Sequence, residues 1–235
     1  MRAIKTYSWV MVGLLFILAT AAAWSLTPDQ VNLLAFDRFA ILNGEWWRLW
    51  SSHLVHYSRD HMITDVGTLF FLALVVGRFT KVLHLFLAFL FAMPVITALV
   101  VLMVPAMEHF RGASAMVMML WMVVSWYLIV ESRGFNLQFV LGYLLLAVLI
   151  GKIAVEYLGL MPPTLDMPRG YIPPWQVHIF GALVGLLVFN VFYQIYTQNN
   201  LRRIEKLRAV KKKVLPTKLK DYQLPDRPQQ SLPRK

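Results

Sequence analysis

Apolar positions along the chain fall into six runs, at about residues 8–25, 61–77, 82–105, 113–130, 136–158 and 175–197. A helix rising about 1.5 Å per residue needs roughly 20 such residues to cross the roughly 30 Å hydrocarbon core of a bilayer. The pattern therefore predicts six transmembrane helices in an all-α membrane protein. Six spans place both termini on one side, and the basic residues test which side that is. Arg2 and Lys5, Arg78 and Lys81, Arg133 and the C-terminal tail alternate as cytoplasmic ends require. Outside this leaves residues 26–60, the segment from Glu108 to Arg111, and a loop rich in Pro162, Pro163, Pro168, Pro173 and Pro174. The first run, with Ala21-Ala22-Ala23 near its end, also resembles a secretory signal; retention as a span is the expectation.

Composition agrees, with 58% hydrophobic and only 15% charged residues. The absence of cysteine removes disulfides, thiolate catalysis and sulfur-ligated metals. A net charge of +11 would suggest nucleic acid if it were spread over the chain. It is not: residues 201–235 hold 12 Lys and Arg against Glu205, Asp221 and Asp226. The body is nearly neutral, so the expected organisation is a six-span membrane domain over 1–198 and a basic, Pro-containing cytoplasmic tail over 199–235. The tail is expected to be disordered and to meet anionic lipid headgroups rather than nucleic acid.

Polar residues placed just inside apolar runs carry the chemistry, because hydroxyls and imidazoles are costly in hydrocarbon. Ser114 opens the fourth run and His178 the sixth, both from the outer side, and His61 opens the second on that side. All three are expected at similar shallow depth, where water can reach them. His178, Gly181 and Gly185 share one helical face, and Gly181-x-x-x-Gly185 is the small-residue spacing that lets membrane helices approach closely. Gly112, Ala113 and Ala115 keep the neighbourhood of Ser114 small. The expected pairing lets His178 take the Ser114 proton as the hydroxyl attacks a peptide carbonyl.

These residues resemble the rhomboid intramembrane serine proteases. The resemblance runs through Gly44-Glu45-Trp46-Trp47-Arg48, His56-x-x-x-x-His61, Gly112-x-Ser114 and His178-x-x-Gly181-x-x-x-Gly185, in the family's order. It implies a six-transmembrane-helix rhomboid-like bundle whose Ser114 and His178 form a catalytic dyad without a third acid. It also implies that His61 helps bind the oxyanion and that Trp47 and Arg48 shape the first loop; on its own placement His56 is expected to order that loop. The implied substrates are single-span membrane proteins cut near the outer face, with no cofactor and no metal. The implied location is the bacterial inner membrane, both termini cytoplasmic and the site open to the periplasmic or outer face. Within the family the chain is similar to the rhombosortase branch, which processes secreted proteins bearing C-terminal Gly-Gly-containing anchors.

Two positions depart from the family pattern. Gly-x-Ser-Gly becomes Gly112-Ala113-Ser114-Ala115, and the Asn expected four residues after His61 is Asp65. A carboxylate aimed at an oxyanion would repel it where an amide would donate. Either Asp65 is protonated and donates, or it points elsewhere and leaves the hole to His61 and the Ser114 backbone N–H. A catalytically inactive rhomboid-like protein that binds membrane helices is the alternative these departures keep open. A transporter would call for inverted repeats and mid-membrane charge, and neither is apparent. His53, His84 and His109 have no identifiable partner and are expected at the interface. Met116, Met118, Met119 and Met122 are expected to form a packing surface. His56, His61, Asp60 and Asp65 offer only two metal ligands on one face.

Overall fold

The computed structural model describes residues 3–160 and 174–220, with side chains from 13–160 and 174–210. The Pro-rich segment through Pro173 and the end of the tail beyond Lys220, expected as an outer loop and a disordered terminus, lie outside the described residues. In chain order the elements are α1 (Ala3–Trp24), α2 (Pro28–Leu34), β1 (Phe36–Asp37), α3 (Arg38–Leu42), α4 (Arg48–Ser51), α5 (Arg59–Val76) and α6 (Val82–Met103). There follow β2 (His109–Phe110), α7 (Ser114–Val130), α8 (Leu137–Tyr157) and α9 (Trp175–Lys220). A helix thus occupies the place of each of the six apolar runs. By length and composition Val82–Met103, Leu137–Tyr157 and Trp175–Val210 could each cross a membrane, with shorter apolar helices at Gly13–Trp24 and Ser114–Val130.

Met1–Tyr193 and Gln194–Lys235 form two compact units. In the first, α7 is the most enclosed helix: every residue from Ala115 to Leu120 is buried, as are Met122 to Ser125. The methionines expected there as packing surface are part of this core, where unbranched side chains fill irregular gaps. On α8 only Gly142, Leu149 and Glu156 are buried. Their seven-residue spacing keeps them on one stripe, and the rest of the helix presents Leu144, Val148 and Ile150 outward. In the second unit the chain is helical through Lys220, where irregular structure was expected from residue 199. Leu201, Arg202, Arg203, Glu205, Lys206, Leu207, Arg208 and Ala209 are strong helix formers, which accounts for the difference.

The stretch between α1 and α5, expected only as an outer segment, folds into short capped helices. Thr27 and Gln30 form a reciprocal capping box on α2, with Pro28 in its first turn. Asp37 Oδ1 accepts from the Ala40 N–H at the start of α3, and Ser58 Oγ accepts from the His61 N–H at the start of α5. The two-residue strands pair antiparallel, Phe36 opposite Phe110, and those rings stack at 4.6 Å. This pairing ties the first loop to the segment that leads into Ser114.

Candidate functional site

The approach to Ser114 is held from the first loop. The Gly112 N–H donates to the Ser52 carbonyl at 3.1 Å, and the Ala113 N–H donates to His56 Nε2 at 3.2 Å. His56, expected to order the first loop, thus also contacts the segment leading into Ser114. Gly112 has φ +130°, and a Cβ there would stand 2.8 Å from His61 Cε1, so both backbone and space require glycine. The loop itself hangs on Arg48, which is buried. Its Nη1 donates to the Asn32 and Ala35 carbonyls, each at 2.6 Å, and its Nε to Glu45 Oε2 at 2.7 Å. Trp47 Nε1 donates to the Leu33 carbonyl, while the Trp46 and Trp47 rings are half exposed or more, as interfacial anchors would be.

Two helices bring the central pair together. A Cβ on Gly181 would collide with the Ala115 carbonyl oxygen, and one on Gly185 would lie 2.5 Å from the Met119 carbonyl oxygen. The glycines therefore set the closest approach of α9 to α7. Across that contact His178 Nε2 stands 2.8 Å from Ser114 Oγ, with His178 buried and Ser114 partly so. His61 and Asp65 lie beside Gly112: Asp65 Oδ2 is 3.2 Å from His61 Nε2 and 3.3 Å from His56 Nε2. Asp65 thus faces the two imidazoles. Its Oδ2 and the Nδ1 atoms of His56 and His61 are buried without a hydrogen-bond partner among the described residues.

A further acid joins the pair. Glu156, on the buried stripe of α8, places Oε2 2.5 Å from His178 Nδ1, and its Oε1 pairs with Lys152 one turn earlier. The residue pattern had not singled out Glu156. Two ionisable residues four apart in an otherwise apolar run were the available signal, since such residues usually face a bundle interior. His53 corrects another expectation: it is fully buried, not interfacial, with Nε2 3.0 Å from Thr97 Oγ1 and 3.3 Å from the Met93 carbonyl. Burial pushes its pKa down to about 4. Burial also raises the Tyr57 hydroxyl above its usual range, against the opposing pull of Arg111, whose guanidinium lies 5.1 Å from the ring centre. His84 sits beside Thr80 Oγ1, and exposed His109 is 3.9 Å from Asp37.

Fold and site define a class: a helical membrane protein in which serine, histidine and glutamate from three helices form one hydrogen-bonded chain. The Rhomboid domain model matches residues 43–195, well over half of the sequence, and the chain belongs to the rhomboid family, whose members are generally intramembrane serine proteases. No curated protein matches the chain.

Proposed function

We propose that the protein is an intramembrane serine endopeptidase that cuts the membrane anchors of single-span proteins near the outer face. The observation that carries this is the 2.8 Å contact between Ser114 Oγ and His178 Nε2. Histidine accepts the serine proton as Oγ attacks the scissile carbonyl, then gives it to the leaving amine; water resolves the acyl-enzyme by the reverse path. The N–H groups in the first turn of a helix lack intrahelical acceptors, so the Ser114 N–H is available to an oxyanion, with His61 beside Gly112 as the second donor.

Six spans, with both termini cytoplasmic, fit this chemistry. At 17 residues α7 is about 26 Å long, shorter than the roughly 30 Å core, which recesses Ser114 below the outer surface while leaving it within reach of water. A substrate helix unwinds near its outer end, where small or helix-breaking residues make exposure of a carbonyl less costly. Within the family we favour the rhombosortase branch, acting on C-terminal Gly-Gly-type anchors, because that branch resembles this chain in tolerating an acid near the position of Asp65, where the wider family has Asn. The exposed Arg202, Arg203, Lys206 and Arg208 suit anionic headgroups on the cytoplasmic side.

The test is co-expression with single-span proteins, including some with Gly-Gly-type anchors, and mass spectrometry of the released fragments. Fragments present with the wild type and missing with Ser114→Ala support the proposal. Identical fragments from both would refute it, and helix binding without any cleavage would favour the inactive alternative.

A further inference from the structure

Glu156 is 2% exposed, yet both of its carboxylate oxygens have partners, Lys152 Nζ on Oε1 and His178 Nδ1 on Oε2. Hydrolysis by Ser114 and His178 alone gives neither Glu156 nor Lys152 a task. Burying a carboxylate is costly unless it is paired and hydrogen-bonded, and these two partners, one of them a partly exposed lysine ammonium, meet that requirement. An ionised carboxylate only accepts. Its contact with His178 therefore fixes the imidazole proton on Nδ1, leaving Nε2 as the lone-pair nitrogen facing Ser114 Oγ at 2.8 Å. Only this neutral tautomer can take the serine proton.

Location strengthens the assignment. Glu156 shares its stripe with Gly142 and Leu149, and a Cβ on Gly142 would stand 2.8 Å from Ile129 Cγ1 and 3.0 Å from the Ser125 carbonyl oxygen. Close packing of α8 on α7 is thus built into the same face that delivers the carboxylate to His178. The serine comes from α7, the histidine from α9 and the acid from α8.

We propose that Glu156 is a positioning residue for the Ser114–His178 pair, holding the His178 ring and its Nδ1–H tautomer and offsetting the positive charge that forms when Nε2 takes the proton, with Lys152 steadying the carboxylate. This rests on the reading of Ser114 as nucleophile and His178 as base. In the step concerned, the Ser114 O–H bond breaks, its proton goes to His178 Nε2, and Oγ bonds to the carbonyl carbon as the C=O electron pair moves to oxygen. Glu156 gains no proton.

The experiment is inactivation of the full-length protein in detergent by a fluorophosphonate, resolved into kinact and KI, with thermal midpoints recorded beside it. For Glu156→Gln, which keeps the shape but loses the charge, kinact falls by about 10²- to 10⁴-fold while KI stays within about threefold. Glu156→Asp, which restores a carboxylate, recovers at least about tenfold of that loss. A Glu156→Gln protein inactivated at the wild-type kinact would overturn the proposal, and so would a Glu156→Asp protein no better than Glu156→Gln, which would mark a packing role alone. A wild type that is never modified on Ser114 would overturn the protease reading and this proposal together, which separates the two failures.

Discussion

Gly181→Ala adds a single methyl group at the α7–α9 contact. The new Cβ would lie 3.0 Å from the Ala115 carbonyl carbon, 3.1 Å from Ala115 Cα and nearer still to the carbonyl oxygen, where ordinary contact begins at 3.4 Å. All three atoms are backbone, so no side chain can swing aside; the helices must separate by about 1 Å. If that movement is passed to Ser114 and His178, a 2.8 Å hydrogen bond becomes a gap of about 3.8 Å, beyond hydrogen-bond range. A misplacement of about 1 Å costs a rate on the order of 10²-fold, and overpacking itself costs about 1–3 kcal/mol of stability. The assay is the rate of fluorophosphonate modification in detergent. Gly151→Ala on α8 is the control, since a Cβ there meets nothing within 4 Å. The reasoning predicts a loss of about 10²-fold for Gly181→Ala and none for Gly151→Ala. Gly181→Ala modified at the wild-type rate would refute the claim that this glycine sets the spacing of the pair.

Other consequences follow from the same contacts. Arg48→Ala leaves the buried Ala35 carbonyl without its donor, costing about 1–3 kcal/mol, and Arg48→Lys recovers little because a lysine lacks the planar fork; SDS-unfolding midpoints measure both. His53 is neutral in the fold, with a pKa lowered from 6.5 to about 4, so the unfolded chain binds the extra proton first as pH falls. Its contribution is intact above pH 6.5 and is lost between there and about 4, so at pH 4.5 the wild type has lost about 2–3 kcal/mol more than His53→Gln, read from unfolding at both pH values. Asp65→Asn keeps a side chain of the same shape against His61 and stays within about threefold of the wild-type modification rate, whereas Asp65→Ala leaves a gap beside the imidazole and loses about tenfold. Collapse of Asp65→Asn would show that the charge itself is required.

Hydrophobic periodicity made the helices legible because spans need length and lack charge, so each of the six apolar runs reappears as a helix. Ser114 and His178 were legible for a complementary reason: polar groups at the mouths of apolar runs, with Gly181 and Gly185 on the same helical face as the histidine. Arg48, which the resemblance assigns to shaping the first loop, is buried and bonds the Asn32 and Ala35 carbonyls and Glu45, partners that the sequence spacing does not encode. Glu156 was hidden because its meaning depends on how α8 rotates against α9, which spacing within one helix does not encode. His53 was hidden likewise, since Thr97 and Met93, its partners, lie some forty residues away on α6. The short helices of the first loop depend on local caps such as Thr27 with Gln30, a signal drowned by the stronger apolar runs on either side.

The central claim is that Ser114 is a nucleophile activated by His178. Mass spectrometry of the fluorophosphonate-treated wild-type protein tests it most directly. The account predicts a single adduct on Ser114 that disappears in His178→Ala; an adduct elsewhere, or one on Ser114 formed equally well in His178→Ala, would contradict it.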